Sequence, residues 1–187
     1  MNALFEAARE VCEFMTARRW EFCIIGGLAV QRWGEPRLTQ DADLTLLTGF
    51  GEEERFAQIL LEQFQSRRPN ALAFALANRV LLLRASNGKD VDVSFGALDF
   101  EVSMLDRATP FEFAPGLVLP SCSAEDLFVM KVFAARPQDW LDAQGIAVRQ
   151  RGRLDVAYIL KHLALLCELK ETPENIARAR QILERKR

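Results

Sequence analysis

Histidine is almost absent from this sequence, which has a single one, His162, among its 187 residues. One imidazole cannot build a metal centre that depends on several histidines. A lone histidine on a helix is more often a packing or surface residue than a catalyst, and we assign His162 to that class. Any chemistry must therefore depend on carboxylates, lysines and arginines.

Paired cysteines and long apolar runs are also missing. The sequence contains no CxxC pair and too few histidines to complete a zinc site, so we expect reduced core thiols at Cys12, Cys23, Cys122 and Cys167. No apolar run approaches the roughly 18 residues that cross a bilayer, and acids interrupt the apolar residues of the N-terminus, unlike a signal peptide. These features predict a cytoplasmic protein with no membrane partner.

A strong net charge is lacking as well, because 24 Lys and Arg stand against 26 Asp and Glu. Nothing global therefore indicates a nucleic-acid or polyanion partner, and any such partner must be recognised locally. Half of the residues are hydrophobic, enough for a buried core in one compact domain, with or without a helical appendage.

Hydrophobic periodicity predicts the α+β class, with an α/β core over residues 1–120 and a helical part over 121–187 packed on it. In the first part we expect helices over 2–18, 28–33 and 52–66, and extended segments over 21–25, 42–47, 72–77, 79–85 and 90–95. Asn87-Gly88 predicts an antiparallel hairpin of the last two segments. Residues 97–120 read as irregular with a short helix and small strands, and later helices are expected over 123–135, 138–146, 153–168 and 173–185.

Gly26-Gly27 separates a short apolar strand from a helix. Glycines at such a turn let a phosphate approach the backbone, and the following helix N-terminus offers free N–H groups. Taken alone, a plain tight turn is the better explanation of the same residues. No GxGxxG or GxxxxGK[ST] pattern surrounds the pair, so the Rossmann and P-loop interpretations lack support.

Asp41 and Asp43 supply a second feature, two carboxylates on one face at the start of a predicted strand. A surface pair is the alternative, but Asp92 lies between Val91 and Val93 on a strand that otherwise reads as core. Buried carboxylates are costly unless they are paired or bind a cation. The three aspartates facing a glycine turn predict a Mg²⁺ site beside a phosphate cradle, with Asp90 either on that face or solvated at the hairpin turn.

Residues 41–45 also match the DxDxT string of haloacid dehalogenase-type phosphohydrolases. In those enzymes the first aspartate ends a buried strand. Here the preceding residues, 36–40, are Pro-Arg-Leu-Thr-Gln and form no buried strand, so the required context is missing.

Four pieces of sequence follow one another in a fixed order: Gly26-Gly27-Leu28-Ala29, Trp33-Gly34, Pro36-Arg37-x-Thr39-x-Asp41-x-Asp43-Leu44 and Val91-Asp92-Val93. Over about residues 20–145 this series resembles the signature of the DNA polymerase β-type nucleotidyltransferase superfamily. It is most similar to small bacterial AbiEii-like proteins, which are often found in toxin–antitoxin or phage-defence loci. The resemblance implies a mixed β-sheet flanked by helices.

The resemblance implies roles for individual residues. Gly26 and Gly27 would form the turn that holds the triphosphate, and Asp41, Asp43 and Asp92 would be the catalytic carboxylates that bind Mg²⁺ or Mn²⁺. Arg37 would lie beside this site as a nucleotide ligand.

Later helices continue the likeness through Glu125, Asp126, Lys131, Arg136, Asp139 and Asp142. Lys131 shares an apolar helix face, so it either extends to solvent or meets an anion inside the protein. With the family, a catalytic triphosphate contact or a structural pairing with an acid is the better interpretation. Arg136 is a further expected nucleotide ligand, with an ordinary ion pair to Asp139 as its alternative.

The implied activity is transfer of a nucleoside monophosphate from an NTP to an undetermined acceptor, which could be a tRNA, a protein or a small molecule. A toxin or antitoxin is the implied partner. Some members carry a lysine motif between the second and third carboxylates, where this chain has only Arg79 and Arg84. The alternative is a non-catalytic nucleotidyltransferase-fold antitoxin or partner-binding module.

Overall fold

The computed structural model describes residues 2–184, so the last position of the predicted helix 173–185 lies outside it. Helices and strands alternate up to residue 121, and the described chain beyond is helical, in agreement with the predicted α+β class. The helices are α1 Ala3–Ala17, α2 Gly26–Trp33, α3 Glu53–Gln63, α4 Ala71–Asn78, α5 Asp99–Asp106, α6 Ala124–Ala134, α7 Pro137–Arg149, α8 Val156–Lys170 and α9 Glu174–Glu184. The strands are β1 Phe22–Ile24, β2 Asp41–Leu47, β3 Gln65–Ser66, β4 Val80–Arg84, β5 Asp90–Gly96, β6 Thr109–Ala114 and β7 Leu117–Ser121.

The described residues divide into two compact units. The first comprises residues 2–28 and 38–122, and the second comprises 29–37 and 123–184. The segment 29–37 includes the end of α2, so this stretch groups with the C-terminal helices. The division into an α/β core over 1–120 and a helical part over 121–187 packed on it stays a prediction.

The first unit is built on a mixed sheet with the strand order β3-β4-β5-β2-β1-β7-β6. Two pairs are parallel, β2 with β5 and β1 with β7, and the other neighbours are antiparallel. β4 and β5 form the antiparallel hairpin predicted from Asn87-Gly88. The mixed sheet flanked by helices is therefore present.

Alternation along β2 and β5 separates a core face from a polar face. Buried apolar side chains alternate with half-buried aspartates on both strands. Residues of α1 and α3 belong to the same buried cluster as the apolar side chains of the sheet, including Val11, Leu60, Leu44 and Val93. Because side chains alternate across a strand, burying these apolar residues places the aspartates on the opposite face.

The predicted extended segment 72–77 is wrong, since these residues lie within α4. Alanine alternates there with Leu72, Phe74 and Leu76, which imitates the period of a strand. Alanine and leucine are strong helix formers, and the run contains no β-branched residue to oppose a helix. Arg79 then ends the helix in the left-handed conformation, with φ of 52°.

Residues 97–120 contain the short helix and small strands that the sequence predicts, as α5 and the β6–β7 hairpin. The four cysteines are buried thiols, as expected of core residues. Among residues 2–184, no helix combines the length and apolar character that a membrane span requires.

The second unit has a core of its own, made by helices α6 to α9. Leu127, Phe128 and Ile146 are fully buried, as are Ile159 and Leu163. Helix α6 begins at the cap Ser123, whose hydroxyl oxygen accepts a hydrogen bond from the Asp126 N–H. Its interior positions are mostly buried, which accounts for the almost uninterrupted apolar run around Lys131.

Candidate metal and phosphate site

Three aspartates converge where β2 and β5 begin. Because these strands are parallel and in register, Asp41 lies opposite Asp90 and Asp43 opposite Asp92. One carboxylate oxygen from each of Asp41, Asp43 and Asp92 lies within 4.8 Å of the other two. The three side chains are half-buried. Clustered carboxylate oxygens are the ligands that Mg²⁺ and Mn²⁺ prefer, so this group could hold a divalent cation.

Gly26 and Gly27 place the start of α2 against this cluster. The Ile25 N–H donates to the Asp43 carbonyl at 3.0 Å, so the chain leaves β1 directly beside Asp43. The Gly27 N–H donates to Asp43 Oδ2 at 3.3 Å. Gly26 has φ of +57°, and an added Cβ would overlap the Asp43 carboxylate, whereas one at Gly27 would overlap the Thr39 hydroxyl. Close approach to an aspartate thus requires glycine here, beyond what a plain turn demands.

Asp92 has a strongly perturbed acidity. Its pKa is raised to about 6, mainly by burial; Arg67 lowers it, while the charges of Asp43, Asp41 and Asp90 raise it again. Carboxylates held this close repel one another when ionised. A bound cation would relieve this repulsion, and the carboxylate oxygens are suitable ligands for it.

Arg67 places its positively charged side chain at this site, and it was not among the predicted site residues. Its guanidinium donates to Asp90 Oδ2 at 3.0 Å and also to Asp92 Oδ1. We expected a helix over 52–66, but α3 ends at Gln63 and residues 65–66 form the edge strand β3. The Arg67-Arg68 pair after the predicted helix was the available signal. The direction of the Arg67 side chain depends on the pairing of β3, which these residues do not predict.

The expected nucleotide ligands Arg37, Lys131 and Arg136 lie in the second unit. The Lys131 side chain is 6% exposed, and its Nζ lies 3.1 Å from Asp139 Oδ1 and 2.8 Å from Asp142 Oδ2. Arg37 donates two hydrogen bonds to Asp142, at 2.8 and 2.9 Å. Arg136 Nε donates to Asp139 at 2.6 Å. Lys131 therefore meets anions inside the protein instead of extending to solvent.

This ion network keeps both aspartates ionised. Burial opposes ionisation of Asp142, but hydrogen bonds from Arg37 and Lys131 outweigh it and lower the pKa to about 2. Burial likewise opposes ionisation of Asp139, and Arg136 and Lys131 hold its pKa below the usual range. The Arg136 side chain remains 74% exposed, so it is accessible to a further anion.

Arg79 and Arg84 occupy the interval in which some family members carry a lysine motif. Arg79 pairs with Glu53 and donates to the Phe95 carbonyl at 2.9 Å, so it ties a helix to the end of β5. Arg84 pairs with Asp90 at 3.1 Å and is 44% exposed. Among the described residues, it is Arg67 that places a guanidinium on the third carboxylate.

The sheet, the helix that starts at the glycine pair and the acidic cluster together define a nucleotidyltransferase-like fold. The chain is similar to an antigenic nucleotidyltransferase-like protein from Paracoccidioides brasiliensis, with a TM-score of 0.53 and 14% identity over 95% of this chain and 92% of that one. At this identity the likeness establishes a shared fold.

Two further structures are similar to this chain, with lower TM-scores. Antibiotic-resistance factor ANT(2'')-Ia matches with a TM-score of 0.49 and 14% identity, over 95% of this chain and 89% of that chain. The lincomycin-bound lincosamide antibiotic adenylyltransferase LnuA matches with a TM-score of 0.48 and 11% identity, over 75% of this chain and 94% of that chain. No protein-family model and no curated protein matches the sequence.

Proposed function

We propose that this protein is a nucleotidyltransferase that uses Mg²⁺ or Mn²⁺ to move a nucleoside monophosphate from an NTP to an acceptor. The observation that carries this proposal is the close approach of the glycine turn to the clustered carboxylates of Asp41, Asp43 and Asp92. The nucleotidyltransferase-like fold agrees with it. A phosphate cradle beside a cation site is the arrangement that binding a nucleoside triphosphate requires.

The three aspartates would hold the cation. When bound, it supplies charge that neutralises the phosphates and favours ionisation of the attacking hydroxyl. The N-terminus of α2 offers backbone N–H groups and the positive end of the helix dipole to phosphate oxygens. Gly26 and Gly27 let this N-terminus lie directly against Asp43 and Thr39, where a Cβ at either position would overlap the neighbouring side chain.

The three basic residues of the second unit differ in how available each is to a nucleotide. Arg136 is largely exposed and offers donors to an anionic ligand. Arg37 is 30% exposed and already has two hydrogen bonds to Asp142. Lys131 is buried between two carboxylates, which favours the structural pairing over a direct triphosphate contact.

Transfer of label from an α-labelled NTP, together with pyrophosphate release, tests the activity. Asp41→Asn and Asp43→Asn should abolish both signals, whereas Asp106→Asn, at an exposed position on α5, should retain them. Acceptor pools of tRNA, protein and small hydroxylated molecules are supplied separately. Activity that is equal in the wild type and both cluster variants would refute the assignment of the site.

The acceptor and the setting are the finer parts of the proposal. We propose a cytoplasmic AbiEii-like role beside a toxin or antitoxin, with a tRNA, a protein hydroxyl or a small molecule as acceptor. The ordered motifs and the four buried cysteine thiols support it. Co-purification with the product of a neighbouring gene would test the partner.

One observation favours the alternative of a non-catalytic module. The Arg67 guanidinium lies on Asp92, where a fixed positive charge could take the place of a metal ion. Failure to bind any NTP or divalent cation, in a protein that still binds a partner, would decide for the module.

A further inference from the structure

Arg67 and Asp92 lie on one row across the sheet. The Arg67 N–H donates to the Leu82 carbonyl at 3.0 Å, which continues the β3–β4 pairing by one residue. Leu82 is in turn opposite Asp92, and Asp92 is opposite Asp43. Two strand spacings separate Arg67 from Asp92, roughly 10 Å at the backbone, and an extended arginine side chain covers this gap. The pairing register therefore aims Arg67 at the carboxylate cluster.

The guanidinium divides its hydrogen bonds between two carboxylates. Nη1 donates to Asp90 Oδ2 at 3.0 Å, and Nη2 donates to Asp92 Oδ1. Arg67 is 20% exposed and Asp92 is 23% exposed, so water screens this pair only in part. Within residues 2–184, Arg67 Nε is buried without a hydrogen-bond acceptor. The guanidinium therefore has an unsatisfied donor in its present position.

The same carboxylate is needed by a divalent cation. Asp92 contributes one of the three oxygens that lie within 4.8 Å of one another, and Arg67 contacts this carboxylate. Two cations that share one carboxylate repel each other, and water screens this repulsion only in part here. Asp90 lies outside the three-oxygen cluster and already bonds to Arg67, so it can keep the guanidinium when Asp92 is released.

We propose that Arg67 is a positioning residue that competes with the divalent cation for Asp92. In the metal-free protein it holds Asp92 beside Asp90, and on cation binding it transfers to Asp90 alone. Arg67 thereby lowers the affinity of the site for the cation and neutralises the third carboxylate until the cation arrives. This inference rests on the proposed function, because it takes the three aspartates as the cation site.

Mn²⁺ titration of the purified full-length protein by calorimetry tests the competition. At about pH 8, where Asp92 is ionised, Arg67→Met should bind Mn²⁺ about tenfold more tightly than the wild type, because a neighbouring positive charge is removed. Arg84→Met is the matched control, since Arg84 pairs with Asp90 and not with Asp92 in the described structure. Its affinity should stay within about twofold of the wild type.

A measurement on the wild type makes the test independent of how well the variant folds. The side-chain nitrogen resonances of Arg67, assigned with Arg67→Lys, should shift on addition of Mg²⁺, whereas those of Arg79 should not. The inference would be overturned, with the proposed site intact, if Arg67→Met left Mn²⁺ affinity unchanged or weakened it. Arg67 resonances that do not shift on addition of Mg²⁺ would also overturn it. Mn²⁺ binding that is absent, or that Asp41→Asn leaves intact, would overturn the proposed site and the inference with it.

Discussion

Replacing Asp92 with asparagine should stabilise the metal-free protein near neutral pH. The wild-type carboxyl has a pKa of about 6, against an ordinary value of 3.8, chiefly because it is buried among other carboxylates. Each pKa unit corresponds to about 1.4 kcal/mol, so ionised Asp92 costs the folded state up to about 3 kcal/mol. Asparagine has nearly the same shape, lacks the charge and keeps an oxygen that can accept from Arg67.

The pH dependence follows from the raised pKa. Below about pH 4, Asp92 is protonated in the folded and unfolded states, and its ionisation costs nothing. Between about pH 4 and 6 the unfolded state loses its proton first, so the cost grows, and above about pH 6 it is complete. The gain from Asp92→Asn should therefore be largest at about pH 7.5 and small at about pH 4.5.

Urea unfolding in the presence of EDTA measures this difference, with Asp106→Asn as the control carboxylate. A gain of about 3 kcal/mol corresponds to a rise in Tm of about 6–12 °C for a chain of this size. Millimolar Mg²⁺ should stabilise the wild type and not the variant. A variant that is less stable than the wild type at about pH 7.5, or equally more stable at both pH values, would refute the electrostatic reasoning.

Three further predictions concern the ion network and the glycine turn. Lys131→Met should destabilise the protein by about 3 kcal/mol in urea unfolding, because two buried aspartates lose a shared cation; exposed Lys161→Met should have little effect. Asp142, with its pKa lowered to about 2, should contribute about 2 kcal/mol at neutral pH. Unfolding curves should show this advantage over Asp142→Asn disappearing as the pH falls from about 4 to 2. Gly26→Ala should cost more than about 2 kcal/mol and abolish NTP binding measured by calorimetry, because it combines a positive φ with overlap. Gly49→Ala has the same sign of φ and open space around it, so it should cost less and leave NTP binding unchanged.

The cluster was predictable because each of its parts follows from local sequence. Asp41 and Asp43 share a face whatever strand lies beside them, since side chains alternate along a strand. Asp92 lies between two valines whose burial determines its direction. The Asn87-Gly88 turn predicts that β5 pairs with β4. The pairing of β2 with β5, which brings the aspartates together, is not predicted by local sequence and is seen in the structure.

Arg67 was not predictable for the opposite reason. Its direction depends on β3, an edge strand of two residues that pairs with β4. Two residues carry no period, and the preceding helical pattern runs into them without an interruption. Helix α4 was predicted as an extended segment because the alternation of alanine with larger apolar residues has the period of a strand, whereas alanine and leucine themselves favour a helix.

The two groups of acids differ in how their charge is balanced, and this difference bears on which of them could hold a cation. In the second unit, Asp139 and Asp142 receive hydrogen bonds from Lys131, Arg37 and Arg136, and both pKa values fall. In the first unit, Arg67 offsets the charge on Asp92 incompletely, and the pKa of that carboxyl rises. Acids that the protein neutralises itself gain little from a metal ion, whereas a cluster with an unbalanced negative charge gains most. The nearly neutral composition therefore conceals one local excess of negative charge, at the carboxylates beside the glycine turn.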